Sequence, residues 1–417
     1  MKRLPRMRSA LSALPLAALA FGSGAALAQS QSAQSNDNQI IVTGTPIEES
    51  GRALAACIEQ GCPPEEDIAL TLAHAENQFI AGDYKNGEAT LSRSLRRNRK
   101  HKSSVPVPLS DLYRASGRFA VHLGEARDFK HATLDMRDVL KDAFGDEDRR
   151  VLIADTEVGD SRAMLGFPNG ARRIYEDVEK RALELGYPRV ASFARLRQAL
   201  LNRAQWDVRK HNPALLEEYE TALARLINEP LENSADFVMV AEVMKARLDR
   251  KLNRPGATDA LIERFVAMGG TETPVLLFNE PLDSVSEGGF PVDRQLGFSQ
   301  SNTLDRLTTP HLNKPRFIDV GFWVRPDGTT DEAEVLRAQG PDGWHAAVIQ
   351  SISSRRYAPL DLDRTSPGFF QVERYTLTSR FADESTGTRI RRREPGFRIE
   401  RLDLTPENTK DLITTQG

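Results

Sequence analysis

Phe317-Ile318-Asp319-Val320-Gly321-Phe322-Trp323-Val324-Arg325-Pro326-Asp327-Gly328 decides how the C-terminal part of this 417-residue chain folds. Ile318, Val320, Phe322 and Val324 recur at period two, the spacing of a half-buried strand. Arg325-Pro326-Asp327-Gly328 supplies turn chemistry, because proline fixes one φ angle and glycine accepts a positive one. A second strand is predicted over residues 330–337, completing a hairpin. Past Gly340-Pro341-Asp342-Gly343 the period changes: Trp344, Ala347, Val348, Ser351 and Ile352 lie at helical spacing. Arg355-Arg356-Tyr357-Ala358-Pro359 ends that helix. Residues 369–381 alternate again, with Tyr375, Leu377, Ser379 and Phe381 on one face. A β-β-α-β sheet with one helix laid across it buries both apolar faces.

The order of these elements, together with the hairpin, resembles the C-terminal domain of TonB-type energy transducers. Such domains show a hydrophobic strand ending in V-x-x-D-G, a second strand, a helix, an aromatic turn with proline, and a last strand ending in phenylalanine. The matching elements here are Phe322-Trp323-Val324-Arg325-Pro326-Asp327-Gly328, then residues 344–352, then Arg356-Tyr357-Ala358-Pro359, then 375–381. The resemblance covers about a quarter of the chain. It implies a module that takes an extended protein segment by strand addition, with segments of TonB-dependent receptors as the expected partners. The edge expected to receive them is the last strand, 369–381, with Tyr375, Leu377 and Arg380 most exposed to a partner's influence. The tail over Gly396-Phe397-Arg398-Ile399-Glu400-Arg401-Leu402-Asp403-Leu404 also alternates, and pairing back on that edge would blunt it. Transducers carry an uncleaved membrane helix and a long proline-rich spacer, neither of which is evident here. A binding role without force transmission is therefore expected, and a membrane-retained energy transducer is the alternative.

The N-terminal residues point to export. Lys2, Arg3, Arg6 and Arg8 form a positive region, residues 10–21 an apolar core, and Ala26-Leu27-Ala28 a cleavage site, so residues 1–28 read as a signal peptide. The competing reading is an inner-membrane anchor, but Pro15 and Gly22-Ser23-Gly24 interrupt the run below the ~20 apolar residues that span a bilayer. A periplasmic protein is expected. Cys57 and Cys62 are the only cysteines, and in an oxidising compartment they are expected to pair. Residues 29–52 read as a disordered segment containing Ile40-Ile41-Val42-Thr43-Gly44, which resembles the TonB box near the mature start of TonB-dependent receptors.

Residues 53–268 read as helical hairpins. Ala75, Gly82, Tyr84, Gly87 and Leu91 resemble the small and aromatic positions of a tetratricopeptide repeat. Ala120, Asp128-Phe129, Ala132 and Met136 suggest a second copy, and Gly159, Gly166, Ala171, Tyr175 and Val178 a third. Taking Gly87, Ala132 and Ala171 as equivalent gives spacings of 45 and 39 residues. The fold class expected is thus multidomain: an α-solenoid of tetratricopeptide-like hairpins (53–268), a linker (269–304), an α+β module (305–383) and a tail (384–417).

Chemistry is sparse in this sequence. The seven histidines are scattered, without H-E-x-x-H, G-x-S-x-G or phosphate-loop patterns, so no catalytic, cofactor or metal residues are expected. A net charge of −3 argues against nucleic acid as a main partner. The basic runs at 96–102 and 389–393 read as solvated ends, with membrane-surface contact as the alternative for the second. An enzyme acting on envelope polymer is the least favoured class.

Overall fold

Proline and glycine set most of the helix boundaries. The computed structural model describes residues 46–209, 212–254, 256–279, 282, 316–340, 342–378 and 398–405. The helices are α1 Ile47–Gln60, α2 Pro64–Ile80, α3 Tyr84–Asn98, α4 Pro106–Leu123, α5 Ala126–Phe144 and α6 Arg149–Met164. They continue with α7 Pro168–Glu184, α8 Pro188–Val208, α9 Pro213–Asn228, α10 Ala235–Lys251 and α11 Ala257–Ala267. Pro64, Pro106, Pro168, Pro188 and Pro213 each open a helix, where their missing N–H would have had no intrahelical partner.

Gly82, Gly124 and Gly166 sit just past α2, α4 and α6 with φ of 79°, 74° and 84°. In each case the next residue's N–H returns to a carbonyl of the last turn: Asp83 to Gln78 at 2.8 Å, Glu125 to Ala120 at 2.7 Å and Phe167 to Arg162 at 2.9 Å. This Schellman geometry ends the helix and turns the chain into an antiparallel return. These turns recur evenly, every 42 residues. Counted from them, Gly87 and Ala171 are equivalent, whereas Phe129 rather than Ala132 is their counterpart. The uneven spacing expected from the sequence came from that one misplaced member.

Each helix packs on its chain neighbours, and α2 reaches α4, α6 reaches α8, and α8 reaches α10. Small residues allow that approach. A Cβ on Gly159 would lie 2.4 Å from the Tyr175 ring. Gly159→Ala is accordingly expected to cost about 1–3 kcal/mol by overpacking, read as a lower urea midpoint with unchanged slope.

Cys57 and Cys62 are joined, with Cα atoms 5.1 Å apart. The bond staples another Schellman turn: Gly61 has φ 67°, and the Cys62 N–H donates to the Cys57 carbonyl at 3.0 Å. The disulfide occupies the position where such turns usually place a hydrophobic contact.

The C-terminal part is a small antiparallel sheet with one helix. β2 is Arg316–Val324, β3 Thr330–Gln339, α12 His345–Ser353, β5 Phe369–Thr378 and β6 Arg398–Asp403, in the order β3-β2-β5-β6. Separately, β1 Leu276–Phe278 pairs with β4 Arg356–Tyr357. The period-two face is present: Ile318, Val320, Phe322 and Val324 share a core with Trp344, which caps α12, with Val348 of α12, and with Tyr375 and Leu377. The opposite face of β2, expected to meet solvent, is covered as well. Phe317 is buried among Phe79, Tyr84 and Phe119 in the core of α2–α4.

Contacts also form at the far end of the helical region. Leu277 and Ala358 are buried with Val243 and Ala246 of α10 and Leu261 and Phe265 of α11. The sheet module thus touches both the first and the last hairpins, and Gly44–Gly417 forms one compact unit. The protein is mostly helical, with the sheet at its C-terminal end. Among the described residues no helix is long and apolar enough to cross a membrane.

Candidate functional site

β5 carries the chemistry of the sheet, because neighbouring residues send charged groups to opposite faces. On the face towards the helices lies Arg374, fully buried. Its guanidinium grips Asp319 of β2 through Nε to Oδ1 at 2.6 Å and Nη2 to Oδ2 at 2.8 Å. The same group donates to the last carbonyls of α2, Phe79 at 2.5 Å and Ile80 at 2.6 Å. A helix end leaves such carbonyls without intrahelical donors and carries partial negative charge, so a cation fits there on both counts. Arg337 of β3 adds bonds to Asp319 and to the Ile80 carbonyl. Thr376, two residues along β5, meets Tyr84 Oη at 3.2 Å and His122 Nδ1 at 3.3 Å. Burial favours losing the Arg374 proton, but the bonds to Asp319 prevail and its pKa lies above the ordinary arginine value.

On the other face, Glu373 is buried and takes a two-pronged bond from Arg355, at 3.0 and 2.8 Å. Tyr375 donates to the same carboxylate, and Tyr357 receives a bond from Arg355 at 2.9 Å. Arg401 of β6 approaches Glu373 Oε1 at 3.4 Å. Burial alone would raise the Glu373 pKa; the Arg355 bonds and charge outweigh it and hold the group below the ordinary value. The Tyr357 phenol is pushed up to about 12, chiefly by burial. Arg247 of α10 donates to the Leu276 and Leu277 carbonyls. Burial, then the Arg203 and Arg401 charges, lowers it to about 10.

β5 was expected to be the edge that receives a partner, blunted if the tail paired back on it, and the tail does pair there as β6. β5 is an interior strand, paired to β2 over residues 369–377 and to β6 over residues 373–378. Tyr375 and Leu377 are 1% and 4% exposed and belong to the core facing α12. They therefore present no side chain to a partner while β6 is in place. Arg380 lies outside the described residues, as do Ile40, Ile41, Val42, Thr43, Gly44 and residues 1–28.

The sequence reading missed Arg374, Asp319, Glu373 and Arg355. One signal was available: an adjacent Glu-Arg pair inside an aromatic, alternating strand puts opposite charges on two faces, and only one of those faces had been assigned to solvent.

β3 is paired on one side only among the described residues, but its edge resists pairing. Its register against β2 breaks between Asp319 and Val320 and between Gly321 and Trp323. Bulges of this kind, with the charges of Asp331, Glu332, Glu334 and Arg337, are how natural sheets protect an edge. Among the described residues no three His, Cys, Asp or Glu side chains converge as a metal ion would need.

No family model and no curated protein matches the chain. Among similar solved structures is BtubC (BKLC) from P. vanneervenii, at 14% sequence identity and a TM-score of 0.40, covering 54% of this chain and 92% of that one. A likeness of that size carries no conclusion about function.

Proposed function

We propose that this is an exported, non-enzymatic binding or scaffold protein. In this reading a tetratricopeptide-like helical region carries a module resembling a TonB C-terminal domain, and the module takes an extended protein segment as an added strand beside β5. The supporting observation is that β5 already holds one: β6 lies antiparallel along residues 373–378 in one-to-one register. Main-chain hydrogen bonds give such a site its affinity, and pockets at alternate positions give it choice. A segment of TonB-dependent transport machinery is the expected occupant.

The test pins β6 in place. Thr378 and Arg398 are direct partners across the ladder. In the full chain, the double variant Thr378→Cys/Arg398→Cys is oxidised or kept reduced and titrated with labelled peptides covering residues 398–405 and residues 39–47. Binding to the reduced and wild-type proteins that is lost on oxidation supports the reading. Equal affinity in both redox states, or no binding to either, overturns it. The β6 strand competes in cis at an effective concentration of order millimolar, so the titration has to reach that range.

A further inference from the structure

β6 shows what the slot beside β5 prefers. Its residues alternate between two environments. Ile399 packs on the sheet core of Ile318, Val348 and Tyr375. Leu402 points the other way and packs on the α2–α4 core that holds Phe79 and Phe317. Between them, Arg401 brings Nη1 to 3.4 Å from Glu373 Oε1.

Among the described residues, several groups bind that carboxylate. Arg355 and the Tyr375 hydroxyl bind it from the strand and turn beneath. An ionised carboxylate has about four acceptor positions. Arg355 fills two and Tyr375 one, and Arg401, half in solvent, approaches Oε1 from β6.

We infer that the β5 slot selects an extended segment carrying an apolar residue, a cation two positions further on and a second apolar residue directly after it, as Ile399, Arg401 and Leu402 do. The inference rests on the reading that β5 receives added strands, and it names the chemistry of the partner. The first apolar side chain enters the sheet core, the cation completes the Glu373 shell, and the second apolar side chain enters the helical core. Specificity is thus read by the sheet and the helical region together. An acidic residue at the third position would face a buried carboxylate of like charge. Ile40-Ile41-Val42-Thr43-Gly44 supplies apolar residues without a cation and is expected to be a poorer occupant than the protein's own tail.

The test opens the slot and varies only the peptide. Full-length protein with Ile399→Asp and Leu402→Asp removes the two apolar anchors of β6. It is titrated with the 398–405 peptide, with that peptide bearing Arg401→Glu, with one bearing Leu402→Ser, and with the 39–47 peptide. Circular dichroism and a cooperative melt establish that the variant is folded. Should it not be, the same four peptides compete for the wild-type protein at millimolar concentration. The expected result is that the native-sequence peptide binds at least about fivefold more tightly than each of the other three, in line with a charge-assisted hydrogen bond or a lost apolar contact. Equal binding of the native and Arg401→Glu peptides overturns the inference and leaves strand addition standing. No binding by any peptide overturns both.

Discussion

Arg374→Met is expected to lower stability by about 3–5 kcal/mol, because it strips the partner from a buried charge rather than merely removing a contact. The guanidinium is fully buried and ties three separate pieces of chain together: Asp319 of β2, its own strand β5, and the carboxyl end of α2. Without it, Asp319 keeps, among the described residues, Arg337, whose side chain is 42% exposed, and the Phe79 carbonyl loses its charged donor. Methionine replaces part of the volume and none of the hydrogen bonds. Adding Asp319→Leu to Arg374→Met should recover a substantial part of the loss, since the second change removes the orphaned carboxylate. Urea unfolding of both single variants and the double variant decides the matter. A single-variant cost below about 1 kcal/mol, or a double-variant cost equal to the sum of the singles, is incompatible with an interlocked ion pair at this joint.

That joint also explains what the sequence did and did not disclose. Ile318, Val320, Phe322 and Val324 were legible as a buried face because alternation is a local property, and the helix over residues 344–352 was legible for the same reason. Phe317, Asp319 and Gly321 were not. Phe79 and Tyr84, which cover Phe317, lie more than two hundred residues from it, and two of the groups that receive Arg374 are backbone carbonyls, which have no side-chain signature. The repeat turns are an intermediate case. Gly82, Gly124 and Gly166 are evenly spaced in the sequence, but small residues also recur where helices cross, as Gly159 does under Tyr175, and the two kinds of position share one residue type. The site suffered most from this limit. Residues 398–404 alternate plainly, yet alternation says that a segment is a strand and not where it pairs. Whether β5 ends the sheet or sits inside it depends on a pairing that no local pattern decides.

The buried ion pair on the other face of β5 should make stability pH-dependent in the acid range. Glu373 has a folded-state pKa below its ordinary value of 4.5. Such a group stabilises the fold fully above the unfolded-state pKa, and the contribution is lost as pH falls through the folded-state value. At neutral pH, Glu373→Gln leaves Arg355 buried and only 3% exposed without its carboxylate, at an expected cost of about 3–5 kcal/mol. As pH falls below the ordinary glutamate range, the wild-type protein loses the same interaction by protonation. The gap between wild type and variant should therefore narrow with acidification, from its full value near neutrality towards zero below the folded-state pKa. Chemical denaturation of both proteins at a series of pH values from 7 down to about 3 measures it. A gap that stays constant or widens would mean that the Glu373 charge contributes nothing to the folded state. In that case the shell shared by Arg355, Tyr375 and Arg401 would be an accident of packing, and the cation at the third position of an added strand would lose its physical basis.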